Sequence, residues 1–184
     1  MALAVLLASC GGPSRQASLR VAMDGNPLQC QRTRVSTVEV ETHGVDFATP
    51  AVQARAGMHC TLHFHVFNDG TANVLLQNAV VPLLGPEGGA GIEAVELSPL
   101  AAKPRAGEID AILSLDDYPL DADSGIKFEV VLTFRRDGCT PVGSDVHVSD
   151  APVVSGTAGG DTLDAAFVGP AYALRGSRDS TCDK

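Results

Sequence analysis

The chain has 184 residues, of which 45% are hydrophobic and 19% charged. That is enough for one domain with a full core, too little for two, and unlike a disordered composition. The formal net charge is −9. No run of Lys or Arg could follow a phosphate backbone, which excludes a nucleic-acid partner and a purely electrostatic hold on an anionic membrane. Aromatic residues are 4% and Trp is absent, so the core must be built mainly from Val, Leu and Ala.

The chain opens "MALAVLLASCGGPS". Residues Ala2 to Leu7 are apolar, and Leu7-Ala8-Ser9-Cys10 is followed by two glycines and a proline. This stretch resembles the lipobox of bacterial lipoproteins, L-[AS]-[AGS]-C, at all four positions. The resemblance implies that Cys10 receives a diacylglyceryl thioether and becomes the first mature residue. Small Ala8 and Ser9 suit a peptidase cleft, and a thiolate supplies the nucleophile for the thioether. Two acyl chains anchor stably where one binds only marginally. As a spanning helix the stretch is too short, covering about a third of a bilayer core. A signal peptide should begin with a basic region, and no Lys or Arg precedes Arg15. The expectation is therefore a signal peptide over residues 1–9 that is truncated at its N-terminus, with translation starting upstream. Residues 10–18 are expected to form the lipidated cysteine and a flexible tether, and 19–184 a single domain. The expected location is the extracytoplasmic face of the bacterial cell membrane.

An exported chain sits in an oxidising compartment. Apart from Cys10 it carries Cys30, Cys60, Cys139 and Cys182, an even set that suits two disulfides. None forms a C-x-x-C, which argues against a zinc ribbon or a thioredoxin-like site. Four cysteines allow three connectivities. An up-and-down order of strands would favour Cys139 with Cys182 and leave Cys30 with Cys60.

In chain order, the pattern from residue 33 onward is short alternating runs between turn residues. Strands are expected at 33–43 and 59–68. The second stops at Asn68-Asp69-Gly70, a hairpin signal that predicts a returning strand at 72–81. After the loop "GPEGGAG" come 92–97 and 108–115, then the acidic loop "DDYPLDADSG". Residues 126–134 alternate most cleanly, with Ile126, Phe128, Val130, Leu132 and Phe134 on one face. "SDVHVSD" and "PVVSGTAGG" suggest a further strand or pair, and 161–168 the last. No segment of ten residues carries a convincing helical period. The expectation is an all-β protein, an antiparallel β-sandwich of about seven or eight strands.

The phrase "LDADSGIKFEVVLTF" resembles the late strands of immunoglobulin-like or fibronectin-type modules over about fifteen residues, which implies a sandwich of that kind. The run from the lipobox through "TLHFHVFNDG" and "GPEGG" to "STCD" is similar to uncharacterised lipoproteins of actinobacteria, a likeness that implies no activity.

Three of the five histidines fall in "HCTLHFHVF". On a strand, Cys60, Leu62, Phe64 and Val66 share one face, and His59, Thr61, His63, His65 and Phe67 the other. The first set is the core set, so the histidines should point outward to solvent or a partner. His63 and His65 lie about 7 Å apart at Cα, a spacing that lets two imidazoles hold one ion, whereas His59 is about 13 Å from His63. A third metal ligand would have to come from elsewhere, with His147 the best candidate and His43 the next. Met58 stands near, but the H-x-M pattern of copper carriers is absent. The alternative is a polar sheet face in which His and Thr are simply acceptable strand formers.

Asp116, Asp117, Asp121 and Asp123 fall together in the acidic loop, where sandwich proteins can hold Ca²⁺, but without the spacing of an EF-hand. "GPEGGAG" lacks the G-K-[ST] that cradles phosphate. No G-x-S-x-G elbow appears, and nothing brings a Ser, His and Asp together. The expected function is that of a non-enzymatic, lipid-anchored protein with a binding or scaffolding role. It would need no cofactor, and its partners would be the membrane through the anchor and a protein or other cell-envelope component. The alternatives are a copper- or zinc-binding lipoprotein using His63 and His65, and a cell-envelope hydrolase whose site the sequence does not reveal.

Overall fold

The structure is a computed structural model that describes residues 16–31, 33–88, 91–135 and 146–176, with Val146 and His147 described only as strand positions. Cys10, Cys139 and Cys182 lie outside the described residues, and with them the expected anchor and the expected Cys139–Cys182 bridge.

The described chain is all-β. Its twelve strands are β1 (Leu19–Cys30), β2 (Val35–Thr42), β3 (Val45–Gln53), β4 (His59–Asn68), β5 (Val74–Val81), β6 (Ile92–Ser98), β7 (Ala111–Leu120), β8 (Ser124–Phe134), β9 (Val146–Asp150), β10 (Val153–Ala158), β11 (Asp161–Ala166) and β12 (Pro170–Arg175). They form three four-stranded sheets, ordered β1-β4-β8-β6, β11-β10-β5-β7 and β2-β3-β12-β9. The first two are wholly antiparallel and face each other as a sandwich. One apolar cluster joins Leu62, Phe64, Phe128 and Val130 of the first sheet to Leu76, Val81, Leu113 and Val154 of the second. The third sheet contributes Val52, Tyr172 and Leu174 to the same core. It contains a parallel pair, β3 with β12.

The alternation read in β4 and β8 holds. Leu62, Phe64, Val66, Phe128, Val130, Leu132 and Phe134 are all fully buried. Opposed Phe64 and Phe128 bring their rings within 5.5 Å. Three strands were not anticipated. β1 carries "DGNP" in its middle, β3 carries Pro50, and β12 opens with Pro170 directly after Gly169, so each contains a residue that ordinarily interrupts a strand.

The Asn68-Asp69-Gly70 hairpin is a correction. β4 pairs with β1 and β8, whereas β5 pairs with β7 and β10 in the opposite sheet. The turn therefore carries the chain across the sandwich. Asn68 is completely buried and explains why. Its Oδ1 accepts the Gly70 N–H at 3.1 Å, and its Nδ2 donates to the carbonyls of Ala72, Leu120 and Asp121 at 2.8, 3.2 and 3.1 Å. One amide side chain thus ties the β4–β5 crossing to the β7–β8 turn.

The acidic loop is a second correction. β7 runs on through Asp116-Asp117-Tyr118 to Leu120. Its pairing with β5 shifts between Leu76 and Asn78, which leaves extra residues on β7 as a bulge. Asp116 and Asp117 occupy it with φ of 50° and 55°, a left-handed conformation that aspartate tolerates.

The expected tether is also shorter than read. Within 10–18, residues 16–18 already belong to the fold, since Gln16 and Ser18 carbonyls accept the N–H groups of Thr71 and Asp69, each at 2.9 Å. Gly70 permits the approach, because a Cβ there would stand 2.3 Å from the Gln16 carbonyl oxygen.

Cys30 and Cys60 form a disulfide with their Cα atoms 4.0 Å apart. They are direct cross-strand partners where the end of β1 meets the start of β4. Adjacency within one sheet makes the bridge, not the up-and-down order from which it was expected.

Candidate functional site: the outer face of the β1-β4-β8-β6 sheet

The histidine face of β4 is the outer face of this sheet, and a large irregularity in β1 shapes it. Met23 pairs with Phe64 and Leu28 with Leu62, so Asp24-Gly25-Asn26-Pro27 together stand opposite the single residue His63. Four turn-forming residues against one throw the β1 backbone out of the pleat. The bulge brings Asp24 within reach of His65 on the adjacent β4 and of Lys127 on β8 beyond it. Asp24 Oδ1 lies 2.5 Å from His65 Nε2 and its Oδ2 3.2 Å from Lys127 Nζ.

His63 is where the outward reading fails. It does share the face with His59 and His65, but it is 6% exposed. A flat sheet would leave its ring in water. Here the bulge faces it on one side and Glu129, its direct partner on β8, on the other. His63 Nδ1 lies 3.4 Å from Glu129 Oε1, but neither ring nitrogen makes a well-formed hydrogen bond. His59, at the strand's start, is exposed, with its Nδ1 2.9 Å from Thr133 Oγ1.

Beyond His65 the face continues as a stack. Phe67 lies parallel to the His65 ring at 5.7 Å between centroids, and the Arg20 guanidinium sits 4.3 Å from the Phe67 centroid. Arg20 is fixed in turn by Asp69, through Nε at 2.7 Å and a second nitrogen at 3.1 Å. Across the pair from Phe67 stands Gly125. A Cβ on Gly125 would meet the Phe67 ring at 2.7 Å, so the missing side chain is what lets the ring lie down on the sheet.

Electrostatics follow from these contacts. Partial burial works to raise the Asp24 carboxyl, but hydrogen bonds and charge from Lys127 and His65 outweigh it and hold it below its ordinary 3.8. The hydrogen bond from Arg20 likewise holds Asp69 low, and the same bond raises Arg20.

No family model matches the sequence, and no curated protein resembles it at a significant level. Among solved structures, an exo β-N-acetylglucosaminidase from Vibrio harveyi is 9% identical over 80% of this chain and 18% of its own, with a TM-score of 0.34. This chain thus spans about a fifth of that enzyme's length. A PapD-like domain of human CEP192 is 12% identical over 96% of this chain and 95% of its own, with a TM-score of 0.32. The alkylpurine DNA glycosylase AlkC of Pseudomonas fluorescens, solved on abasic-site DNA, is 15% identical over 81% and 30%, with a TM-score of 0.31. Likenesses this distant carry no functional argument.

The residues singled out for a metal are placed as follows. His63 and His65 do not face one shared point, because each is drawn to its own carboxylate, Glu129 and Asp24. His147 falls on β9 opposite Leu174, in the third sheet. His43 is the first residue of the β2–β3 turn, with φ of 53°. Met58 is buried. Among the described residues no three His, Cys, Asp or Glu side chains come together in a way that could hold a metal ion. Sequence reasoning missed Arg20, Asp24, Lys127 and Glu129. The signal for Asp24 was the turn string "DGNP", and the signal for Lys127 and Glu129 was their alternation with the core residues of β8.

Proposed function

We propose that the protein is a lipid-anchored, non-enzymatic binding module held at the outer side of the cell membrane through Cys10. Its binding surface is the strip Arg20, Phe67, His65, Asp24 and Lys127. The observation that carries the surface is the Phe67 stack. A partly exposed aromatic ring is contacted by an imidazole and by a guanidinium that Asp69 already orients. Aromatic and Arg side chains fixed before contact lose little freedom on binding and are the types that dominate interface energy. Within the strip Asp24 is paired with His65 and Lys127, and Arg20 is held by Asp69 beside it.

The test is a photo-crosslinking residue placed at Lys127 in the anchored protein in its own membrane, with Leu75 on the outer face of the opposite sheet as control. A discrete adduct at Lys127 that disappears with Phe67→Ala supports the reading. Identical patterns from both positions, or none from Lys127, overturn it. For the anchor, Cys10→Ser should release the protein from the membrane fraction, and unchanged partitioning overturns that part.

A further inference from the structure

The β2–β3 hairpin is paired from Val35 opposite Val52 to Thr42 opposite Val45, yet β12 reaches only Ala51–Gln53 of β3. Among the described residues the outer part of the hairpin is therefore a two-stranded ribbon, with β2 at the edge of its sheet. Directly opposed residues share a face. One face carries Val38, Val40, Val45 and Phe47, and the other Glu39, Glu41 and Asp46. On the apolar face the Phe47 ring lies against Gly169 and meets Phe167 edge-on at 6.5 Å, while Val45 is 53% and neighbouring Val168 73% exposed. On the acidic face Glu41 stands directly opposite Asp46. Like charges in that position destabilise a strand pair, and among the described residues no Lys, Arg or His forms an ion pair with Glu39, Glu41 or Asp46.

We infer that β2 is a docking edge for an extended peptide segment that alternates apolar and basic residues and adds to the sheet as a further strand. Main-chain hydrogen bonds to the free edge of β2 supply affinity, and alternate side chains supply specificity. The apolar residues extend the Val38–Val40–Phe47 face. The Lys or Arg residues lie over Glu39 and Glu41 and offset the Glu41–Asp46 repulsion. Charge selects against a second copy of this chain. Two β2 strands paired antiparallel near their centres, with apolar faces together, set Glu39 and Glu41 opposite or diagonal to the same acids of the other copy. This edge is separate from the Phe67 strip, so the two proposals fail independently.

The probe is a short synthetic peptide alternating valine and lysine, titrated into the full domain by calorimetry and by amide chemical-shift mapping. Binding should weaken with salt and shift amides of β2. It should also fall about tenfold or more in Glu39→Lys/Glu41→Lys, a change of about 1.4 kcal/mol or more. That double variant alters only exposed side chains and should fold normally. A peptide with glutamate in place of lysine should bind the double variant better than the parent. Undiminished binding of the lysine peptide to the double variant overturns the proposal, as do shifts confined to other strands or no binding at millimolar peptide. A peptide N-methylated at both its central valine and the adjacent lysine that binds equally well also overturns it, because strand addition needs one of those two backbone N–H groups as a donor to β2. A dimer formed through β2 without peptide would reassign the edge to a second copy.

Discussion

His63 stands directly across the β4–β8 pair from Glu129, with Nδ1 3.4 Å from Oε1, on a sheet face where its neighbours two residues away on either side are more exposed. Its burial departs from the expectation that the histidines of β4 all point outward to solvent or a partner. His63→Ala should lower stability by about 2–3 kcal/mol, the range of a large-to-small change at a packed site. His59→Ala should stay within about 0.5 kcal/mol, as exposed substitutions do. Urea denaturation of the two variants checks this, and equal midpoints would contradict it.

Asp24 predicts a component of acid sensitivity. Its carboxyl is held below 3.8 in the folded protein. A folded-state value lower than the unfolded one means the unfolded chain takes up the proton first, so the contribution is complete above the unfolded value. It is lost as pH falls below 3.8 and through the lowered folded value. Asp24→Asn should therefore be less stable than the parent at neutral pH, and the gap should narrow below pH 3.8. Parallel denaturation curves at the two pH values measure it, and a gap that widens on acidification would refute the assignment.

What the sequence disclosed and what it concealed divide along a physical line. Residues 59–68 and 126–134 were legible because their period of two is set by burial on one side, and a slip by one residue would exchange the whole buried set. The partners of those strands were not legible. Asn68-Asp69-Gly70 has the local chemistry of a hairpin, and only the distant carbonyls of Leu120 and Asp121 show that it serves a crossing between sheets. The polar strip was half legible for a related reason. His65 and Phe67 could be placed on one face, but Asp24 joins them only through a bulge, and a bulge reads in sequence as a turn.

Asn68 should be among the least replaceable polar residues of the fold. Asn68→Asp keeps the shape and the acceptor for Gly70 but cannot donate to Ala72, Leu120 and Asp121. It would bury a carboxylate against three carbonyl oxygens. Loss of about 3 kcal/mol or more is expected, since unsatisfied buried groups cost about 1–3 kcal/mol each and charged ones more. Asn68→Ala should cost somewhat less. Thermal unfolding of both variants tests the order, and an Asp variant as stable as the parent would show that the amide donors are unimportant.

The Cys30–Cys60 bridge closes a loop spanning 30 residues of sequence separation that contains the whole β2–β3 hairpin. By the chain-entropy relation such a loop stabilises the folded state by about 3.5 kcal/mol, chiefly by restricting the unfolded chain. The double change Cys30→Ala/Cys60→Ala should lower the unfolding free energy by roughly that amount. It should leave the β4–β8 pairing intact, because that register rests on Leu62, Phe64, Phe128 and Val130, all fully buried. Hydrogen exchange would show it directly, with protection in β4 and β8 retained and protection in β2 and β3 reduced most. Non-reducing peptide mapping provides the independent check on the pairing itself. A peptide joining Cys60 to Cys139 in place of Cys30 would contradict the β1–β4 bridge and the loop-closure argument built on it.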